Sequence, residues 1–144
     1  MKGRRKRAYY KELLKLPNVK LVAQNIKSFE LIKNAKLITT ITGTVGWEGA
    51  LLGKPVITFG ETFFNALSFV KRVHDIETLP QVITEQLENF NYDQEEMVNF
   101  LTAVIADSFP MDFFTLWYEN DIGKLKENPQ IQEFAKRLME KMGR

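Results

Sequence analysis

The stretch Thr42-Gly43-Thr44-Val45-Gly46-Trp47-Glu48 combines residue types that can bind a phosphorylated sugar. Two short apolar runs, residues 37–41 and 56–59, flank it and predict buried strands. The segment between them therefore reads as a strand-to-helix turn, where free backbone amides and the helix dipole attract phosphate.

Each residue type in this turn has a chemical use. Gly43 and Gly46 allow a ligand to approach the backbone closely, and the hydroxyls of Thr42 and Thr44 can donate to phosphate oxygens. Glu48 lies about one helical turn further on, where its two carboxylate oxygens can accept hydrogen bonds from a ribose diol. Packing alone is the alternative, because glycines often serve close helix–strand contact and the helix dipole favours an early Glu.

The spacing excludes two familiar phosphate motifs. No Gly-Lys-Ser/Thr follows the glycines, so this is not a P-loop, and Gly43 and Gly46 do not form G-x-G-x-x-G. The chain has no cysteine and one histidine, His74, which excludes thiolate chemistry, disulfides and a multi-histidine metal site within one chain. We therefore predict no metal and no cofactor.

Elements around the turn alternate and then become helical. Strands are predicted at 19–22, 37–41, 56–59 and 68–73, and helices at 4–15, 29–35, 46–53, 63–67, 78–90, 93–109, 111–118 and 130–142. Pro55 suits a strand start and Gly53 a helix end, while Ser28, Thr78 and Asp93 are predicted helix caps. This order predicts an α/β fold in one domain, residues 1–144, with a small parallel sheet flanked by helices within residues 1–76 and a helical part at 77–144.

The residues from Ile41 to Phe64, ITGTVGWEGALLGKPVITFGETFF, resemble the C-terminal half of capsule polysaccharide biosynthesis proteins, which include bacterial glycosyltransferases. The resemblance is close over residues 16–72 and loose beyond them. It implies the Rossmann-like, donor-binding C-terminal lobe of a GT-B fold, with a CMP- or UDP-linked sugar as donor. Thr44, Gly46 and Glu48 match the donor-contacting turn, and Gly60 the loop beside it. Phe64 stands where the family often has tyrosine.

The resemblance also implies missing parts. The acceptor site and catalytic base of such enzymes usually come from an N-terminal lobe, so we expect this chain to be a fragment or one subunit of a split enzyme, inactive alone. Its catalytic residues are unknown. A non-catalytic structural or interaction module that keeps the fold is the alternative function, and the missing lobe or a second copy of the chain is the expected partner.

Three other residues, Lys71, Arg72 and His74, are possible ligand contacts. Lys71 or Arg72 could offset donor charge, and His74 invites a general-base interpretation that a solvated histidine explains equally well. The basic run at residues 2–7 has no interleaved aromatic residues, so we do not expect nucleic-acid binding. The aromatic segment at 109–120 predicts either a helix that packs across the sheet or an exposed surface for self-association. No apolar run is long enough to span a membrane, so the expected location is the cytoplasm, including the inner membrane face.

Overall fold

The computed structural model describes residues 7–119 and 121–143, apart from the side chains at 113, 115 and 117. Its eight described α-helices are α1 (Arg7–Leu13), α2 (Ser28–Asn34), α3 (Thr44–Leu51), α4 (Leu79–Glu88), α5 (Gln94–Ala106), α6 (Phe113–Tyr118), α7 (Ile122–Glu127) and α8 (Pro129–Lys141). Three strands, β1 (Ile38–Thr40), β2 (Val56–Thr58) and β3 (Val70–Arg72), and two 3-10 turns, Phe63–Ala66 and Ile76–Thr78, complete the set. Most of the basic run, residues 2–6, lies outside the described residues.

The three strands form one parallel sheet in the order β1-β2-β3. Ile38 pairs with Val56, which pairs with Val70, and the register continues so that Thr40, Thr58 and Arg72 end the three strands side by side. The predicted α/β fold with a small parallel sheet flanked by helices is confirmed.

The central strand β2 lies at the middle of the core. Val56, Ile57 and Thr58 are all fully buried. Helix α3 packs on β1 and β2 with a face made of Gly46, Gly49 and Ala50, all buried. A Cβ atom on Gly49 would collide with the Ile38 side chain, so α3 lies closer to the sheet than a larger residue would allow.

Several predicted element ends are confirmed. Gly53 has φ +63° just after α3, the left-handed conformation that favours glycine at this position. The Asp93 carboxylate accepts from the Glu96 amide at 2.8 Å and caps α5. Pro55 immediately precedes β2, where its carbonyl accepts from the Ile38 amide at 3.0 Å and its missing amide costs no ladder bond.

Two predicted caps are wrong in detail. Thr78 makes no side-chain cap at α4, because its hydroxyl donates instead to the Asp75 carbonyl at 2.7 Å within the preceding 3-10 turn. Helix α2 begins at Ser28 itself, with Lys27 in the cap position. At Thr78 only the capping hydrogen bond is absent, since the residue does stand directly before α4, whereas at Ser28 the helix starts one residue earlier than predicted.

The strand predicted at residues 19–22 is also wrong. The segment is irregular, and Val19, Leu21 and Val22 are exposed. A β-branched run becomes a strand only when a neighbouring strand accepts its backbone hydrogen bonds and its side chains are covered. Within the described residues no strand pairs with this segment, so its local propensity is not realised.

The contacts of the chain divide it into two compact units, Met1–Met97 and Val98–Arg144. The expected single domain stays a prediction. In the second unit, Phe109 lies against Phe134 with the rings tilted at 39° and their centroids 6.2 Å apart, and the Arg137 guanidinium lies 5.0 Å from the Phe109 ring centroid. Phe114 and Tyr118 of the aromatic segment are 78% and 75% exposed, whereas the side chains of Phe113 and Trp117, like residue 120, lie outside the described set.

Sequence reasoning missed helix α7. Its segment holds Gly123, which lowers helix propensity, but the Asp121 carboxylate caps it by accepting from the Gly123 and Lys124 amides. The Asp at the start was the signal that identifies this helix.

A polar network fixes the loop that follows β2. Asn65 donates from Nδ2 to the buried Thr58 hydroxyl at 2.6 Å, and its Oδ1 accepts from the Thr62 amide at 2.7 Å and the Thr62 hydroxyl at 2.8 Å. One side chain therefore ties the end of β2 to the turn at 62–66.

We expect Asn65→Ala to lower the free energy of unfolding by about 1–3 kcal/mol, because it leaves the buried Thr58 hydroxyl without its donor. The matched control is Asn34→Ala, which removes an exposed side-chain bond to the Glu30 carbonyl and is expected to change stability by less than about 0.5 kcal/mol. Urea unfolding followed by circular dichroism measures both. Equal losses in the two variants would contradict a structural role for the Asn65 network.

Candidate functional site

The loops that leave the carboxyl ends of β1 and β2 run side by side. Beyond the strands, the Phe59 amide donates to the Thr40 carbonyl and the Gly60 amide to the Ile41 carbonyl, both at 2.9 Å. A Cβ atom on Gly60 would lie 2.6 Å from the Thr42 Cγ2 atom and 2.9 Å from the Ile41 carbonyl oxygen. Gly60 is therefore required for the two loops to approach this closely, and it lies next to Thr42, while its contact with a donor stays a prediction.

The amino end of α3 presents free donors at this edge of the sheet. Gly43 is its cap residue, and no side chain caps the helix. The Gly43 amide donates to the Thr40 hydroxyl at 3.0 Å and the Gly46 amide to the Gly43 carbonyl at 3.1 Å. Within the described part of the chain, the amides of Thr44 and Val45 have no acceptor. They leave two N–H groups at the positive end of a helix dipole.

A hollow of about 220 Å³ opens beside these amides. Its wall joins the turn before α3, one face of α3 and the loop after β2: Thr42, Thr44, Trp47, Glu61, Thr62, Phe63 and Phe64. We call it the Thr44 hollow. The structure thus brings together three residues singled out in the sequence, Thr42, Thr44 and Phe64, from two different loops.

Three aromatic rings form the apolar side of the Thr44 hollow. The centroid of Trp47 lies 5.2 Å from that of Phe63 and 6.2 Å from that of Phe64, with the latter pair nearly parallel at 29°. Phe63 is exposed and Phe64 is buried. The hollow therefore has hydroxyls and amides on one side and exposed aromatic surface on the other.

Gly46 has a packing role as well as its place in the turn. It is buried, and a Cβ atom there would lie 2.9 Å from the Thr40 Cγ2 atom and 3.0 Å from the Phe64 Cζ atom. The edge of the Phe64 ring thus occupies the space that the missing side chain leaves. The packing that sequence reasoning gave as the alternative operates at Gly46, while its contact with a ligand stays a prediction.

Two carboxylates lie near the hollow in different positions. Glu48 is half-buried one turn along α3 from Thr44, on the same face of the helix, but it does not line the Thr44 hollow. Glu61 does line the hollow, is 83% exposed, and forms an ion pair with Arg72 at 3.2 Å. Sequence reasoning overlooked Glu61, although its place directly after Gly60 at the end of a predicted strand was a usable signal.

Lys71 and Arg72 lie in β3 and His74 lies just after it, but the three side chains have different surroundings. Arg72 ends the strand and reaches Glu61, so it stands at the edge of the site. Lys71 donates from Nζ to the Ser68 carbonyl at 3.1 Å and lines a different hollow. His74 is exposed just past β3, without a described hydrogen bond. Of the three residues, Arg72 has the best geometry for a role at the Thr44 hollow.

The described residues show neither a metal-binding cluster nor a membrane-spanning helix. They contain no group of three or more His, Cys, Asp or Glu side chains placed to hold a metal ion. None of the helices in that part of the chain has the length and apolar character to cross a membrane.

Comparison with known proteins finds a family model that matches the part of the chain containing this site. A family model described as capsule polysaccharide biosynthesis protein matches residues 1–86. Protein FixF from Sinorhizobium fredii is 48% identical over 63 residues, and the capsule polysaccharide modification protein LipA from Neisseria meningitidis serogroup A is 34% identical over 56 residues.

These relatives are much longer than the matched segments. The match with FixF covers 44% of this chain and 15% of FixF, and the match with LipA covers 39% of this chain and 8% of LipA. No solved structure matches the chain significantly.

We expect Gly60→Ala to lower the free energy of unfolding by about 1–3 kcal/mol, because the new methyl group meets a backbone carbonyl that cannot move without separating β1 from β2. Thermal unfolding measures the change. Gly123→Ala is the matched control: its Cβ meets only the Asp121 carboxylate, at 3.1 Å, and alanine favours the helix. A Gly60→Ala variant as stable as the parent chain would mean that the two loops are not held this close.

Proposed function

The chain belongs to the capsule polysaccharide biosynthesis protein family, and from this premise we propose that it binds the nucleotide-sugar donor of a glycosyltransferase. The donor phosphate occupies the amino end of α3. The sugar enters the Thr44 hollow, and the nucleoside lies outside it along α3. A CMP- or UDP-linked sugar is the proposed ligand.

The observation that carries this proposal is the pair of backbone amides, Thr44 and Val45, without an acceptor in the described chain. They lie at the start of an eight-residue helix whose first turn contains no acidic side chain. A phosphate oxygen is the ligand that such amides and the helix dipole favour. The hydroxyls of Thr42 and Thr44 add two donors on the same side.

The remaining groups suit the two ends of a nucleotide sugar. Glu48, one turn beyond Thr44, can accept from both ribose hydroxyls if the nucleoside runs along the helix. Glu61 and the rings of Trp47 and Phe63 can contact the sugar inside the hollow, where a carboxylate binds hydroxyls and an aromatic face covers C–H groups. Gly60 and Phe64 hold the loops and the α3 packing that form this wall.

The proposed reaction of the larger protein is transfer of the donor sugar to a capsule polysaccharide acceptor. The acceptor hydroxyl loses its proton to a base and forms a bond to the anomeric carbon, while the bond to the nucleotide phosphate breaks. The amides of α3 stabilise the charge on the departing phosphate. We propose that an N-terminal lobe or a partner chain supplies the base, that this chain alone is inactive, and that the reaction takes place in the cytoplasm at the inner membrane face.

A non-catalytic interaction module is the second candidate, and one observation favours it. Of the residues from 7 to 37, only Ile32 is buried, whereas Leu14, Leu16, Val22 and Phe29 are each at least half exposed. An apolar surface of this kind fits contact with another protein, including a separate N-terminal lobe or a second copy of the chain. The same surface is compatible with donor binding, so the ligand experiments below decide between the two.

We expect Thr44→Pro to weaken binding of UDP-sugars or CMP-sugars by about 10- to 100-fold, because it removes a charge-assisted amide–phosphate bond. Proline is favoured at the first helical position, and Gly43 already has the extended backbone (ψ 149°) that a residue before proline requires, so the fold is expected to remain. Isothermal titration calorimetry measures the affinity.

Thr44→Ala is the matched control for this substitution. It removes only the hydroxyl, so the difference between the two variants measures the backbone amide. If the proline and alanine variants bind the donor equally well, the phosphate does not lie on these amides. If the parent chain binds no nucleotide sugar at millimolar concentration, the donor-binding proposal is wrong and the interaction module is favoured.

The two carboxylates give a separate prediction. We expect Glu48→Gln to weaken UDP and a UDP-sugar by the same factor, about 5- to 10-fold, because both ligands contain the ribose diol. Glu61→Gln is expected to weaken only the UDP-sugar. Titration of each variant with both ligands tests this assignment, and Glu88→Gln, an exposed change at the end of α4, is the control. An equal loss for UDP and the UDP-sugar in Glu61→Gln would place Glu61 on the ribose and reverse the proposed orientation of the donor.

A further inference from the structure

A second hollow, of about 210 Å³, lies where β3 begins and α4 ends. It differs from the Thr44 hollow in position, since its wall comes from the segment before β3, from the last turn of α4 and from the loop at 89–91. We call it the Gln86 hollow. The two hollows share no lining residue. Lys71, which the sequence suggested as a donor contact, lines the Gln86 hollow instead.

Gln86 contributes a buried polar group without a partner to the wall of this hollow. The residue is 3% exposed, and within the described chain its side-chain oxygen Oε1 is buried without a hydrogen-bond partner. An unpartnered buried amide oxygen costs free energy, and because Gln86 lines this cavity, a donor bound in the cavity that reached the oxygen would recover that cost.

The surrounding groups are polar and carry balanced charge. Asn89 and Asn91 present amides, and Lys71 and Glu85 present one positive and one negative charge. Lys71 already donates to the Ser68 carbonyl at 3.1 Å. A cation in the hollow would be repelled by Lys71, and an anion would be repelled by Glu85. A neutral ligand with several hydroxyls instead finds both hydrogen-bond donors and acceptors.

Aromatic packing makes the wall rigid. Phe69 is buried and packs edge-to-face against Phe90 and Tyr92, with centroids 6.3 Å and 5.2 Å away. Ser68 is fixed by Glu96, which accepts from its amide at 2.7 Å and from its hydroxyl at 2.6 Å. The hollow is therefore held by contacts that do not involve a ligand.

The volume of the Gln86 hollow, about 210 Å³, limits the size of the ligand it can hold. A water molecule takes about 30 Å³ in the liquid, so one buried water would leave most of this space unfilled. Drug-sized ligands occupy pockets of about 300–1,000 Å³, which is more than this hollow offers. We propose that the Gln86 hollow binds one neutral monosaccharide unit, with a sugar hydroxyl donating to the Gln86 Oε1 atom. This proposal does not depend on donor binding at the Thr44 hollow.

The test is a titration of the ¹⁵N-labelled chain with methyl glucopyranoside, methyl galactopyranoside and N-acetylglucosamine up to 50 mM (about the range for a weak single-sugar site), followed by NMR. The expected result is saturable shifts of the side-chain amide signals of Gln86, Asn89 and Asn91 with at least one sugar. Gln86→Leu keeps the side-chain size, removes the oxygen, and is expected to weaken that sugar about tenfold. Gln81→Leu, an exposed change in the same helix, is expected to leave it unchanged.

Each other outcome overturns the proposal. No shift with any of the three sugars would mean that water alone fills the hollow. Equal affinity in Gln86→Leu and the parent chain would show that the sugar binds elsewhere, and saturable shifts with inorganic phosphate but not with sugars would identify an anion site on Lys71. If Gln86→Leu does not fold, Asn91→Ala, in the exposed loop, takes its place with the same expected loss.

Discussion

The close approach of helix α3 to the sheet is the constraint on which the candidate site depends. Gly46 and Gly49 face β1, and a Cβ atom at either position would collide with a side chain of that strand. Because the helix lies this close, its amino end meets the carboxyl ends of β1 and β2 directly. Larger residues would move α3 outward and carry the Thr44 and Val45 amides away from the loop at Gly60.

The same approach explains the aromatic side of the site. Phe64 occupies the space beside Gly46, where its ring edge lies 3.0 Å from the position of a Cβ atom, and it stacks on Trp47, the next residue of α3. The loop that carries Phe64 is in turn held to β2 by Asn65 and the buried Thr58 hydroxyl. Packing and polar contacts therefore place the two walls of the Thr44 hollow independently of any ligand. Such preorganisation is what a phosphate site needs, since ordering the loop on binding would subtract from affinity.

Local signals in the sequence were sufficient for the elements around the turn. The β-branched runs at 37–41 and 56–59, with Pro55 between them and Gly53 before it, identify β1, β2 and the end of α3 because each signal acts within a few residues. The run at 19–22 has similar composition but no neighbouring strand, and pairing is a property that its own residues do not encode. Thr78 does not cap α4 for a related reason. Its hydroxyl donates to the backbone carbonyl of Asp75, three residues earlier, instead of bonding to the helix.

The site was predictable only where one loop sufficed to define it. Thr42, Gly43 and Thr44 follow from a single strand-to-helix turn, whereas Glu61 enters from a second loop whose approach depends on Gly60. The unpartnered oxygen of Gln86 has no sequence signal at all, since a glutamine in an amphipathic helix is ordinarily exposed.

The pairing of Glu61 with Arg72 bears on how an anionic ligand would be held. Arg72 ends β3 with its side chain 33% exposed, and its guanidinium engages the Glu61 carboxylate. Its charge is thus largely offset in the absence of a ligand, so in the proposed complex the uncapped amides of α3, rather than a cation, would be the principal attraction for phosphate. A sugar that bonds to Glu61 competes with Arg72 and leaves that guanidinium freer to face the phosphate. In the proposed complex, Glu61 and Arg72 would therefore act as one unit, in which contact with the sugar increases the positive charge that faces the phosphate.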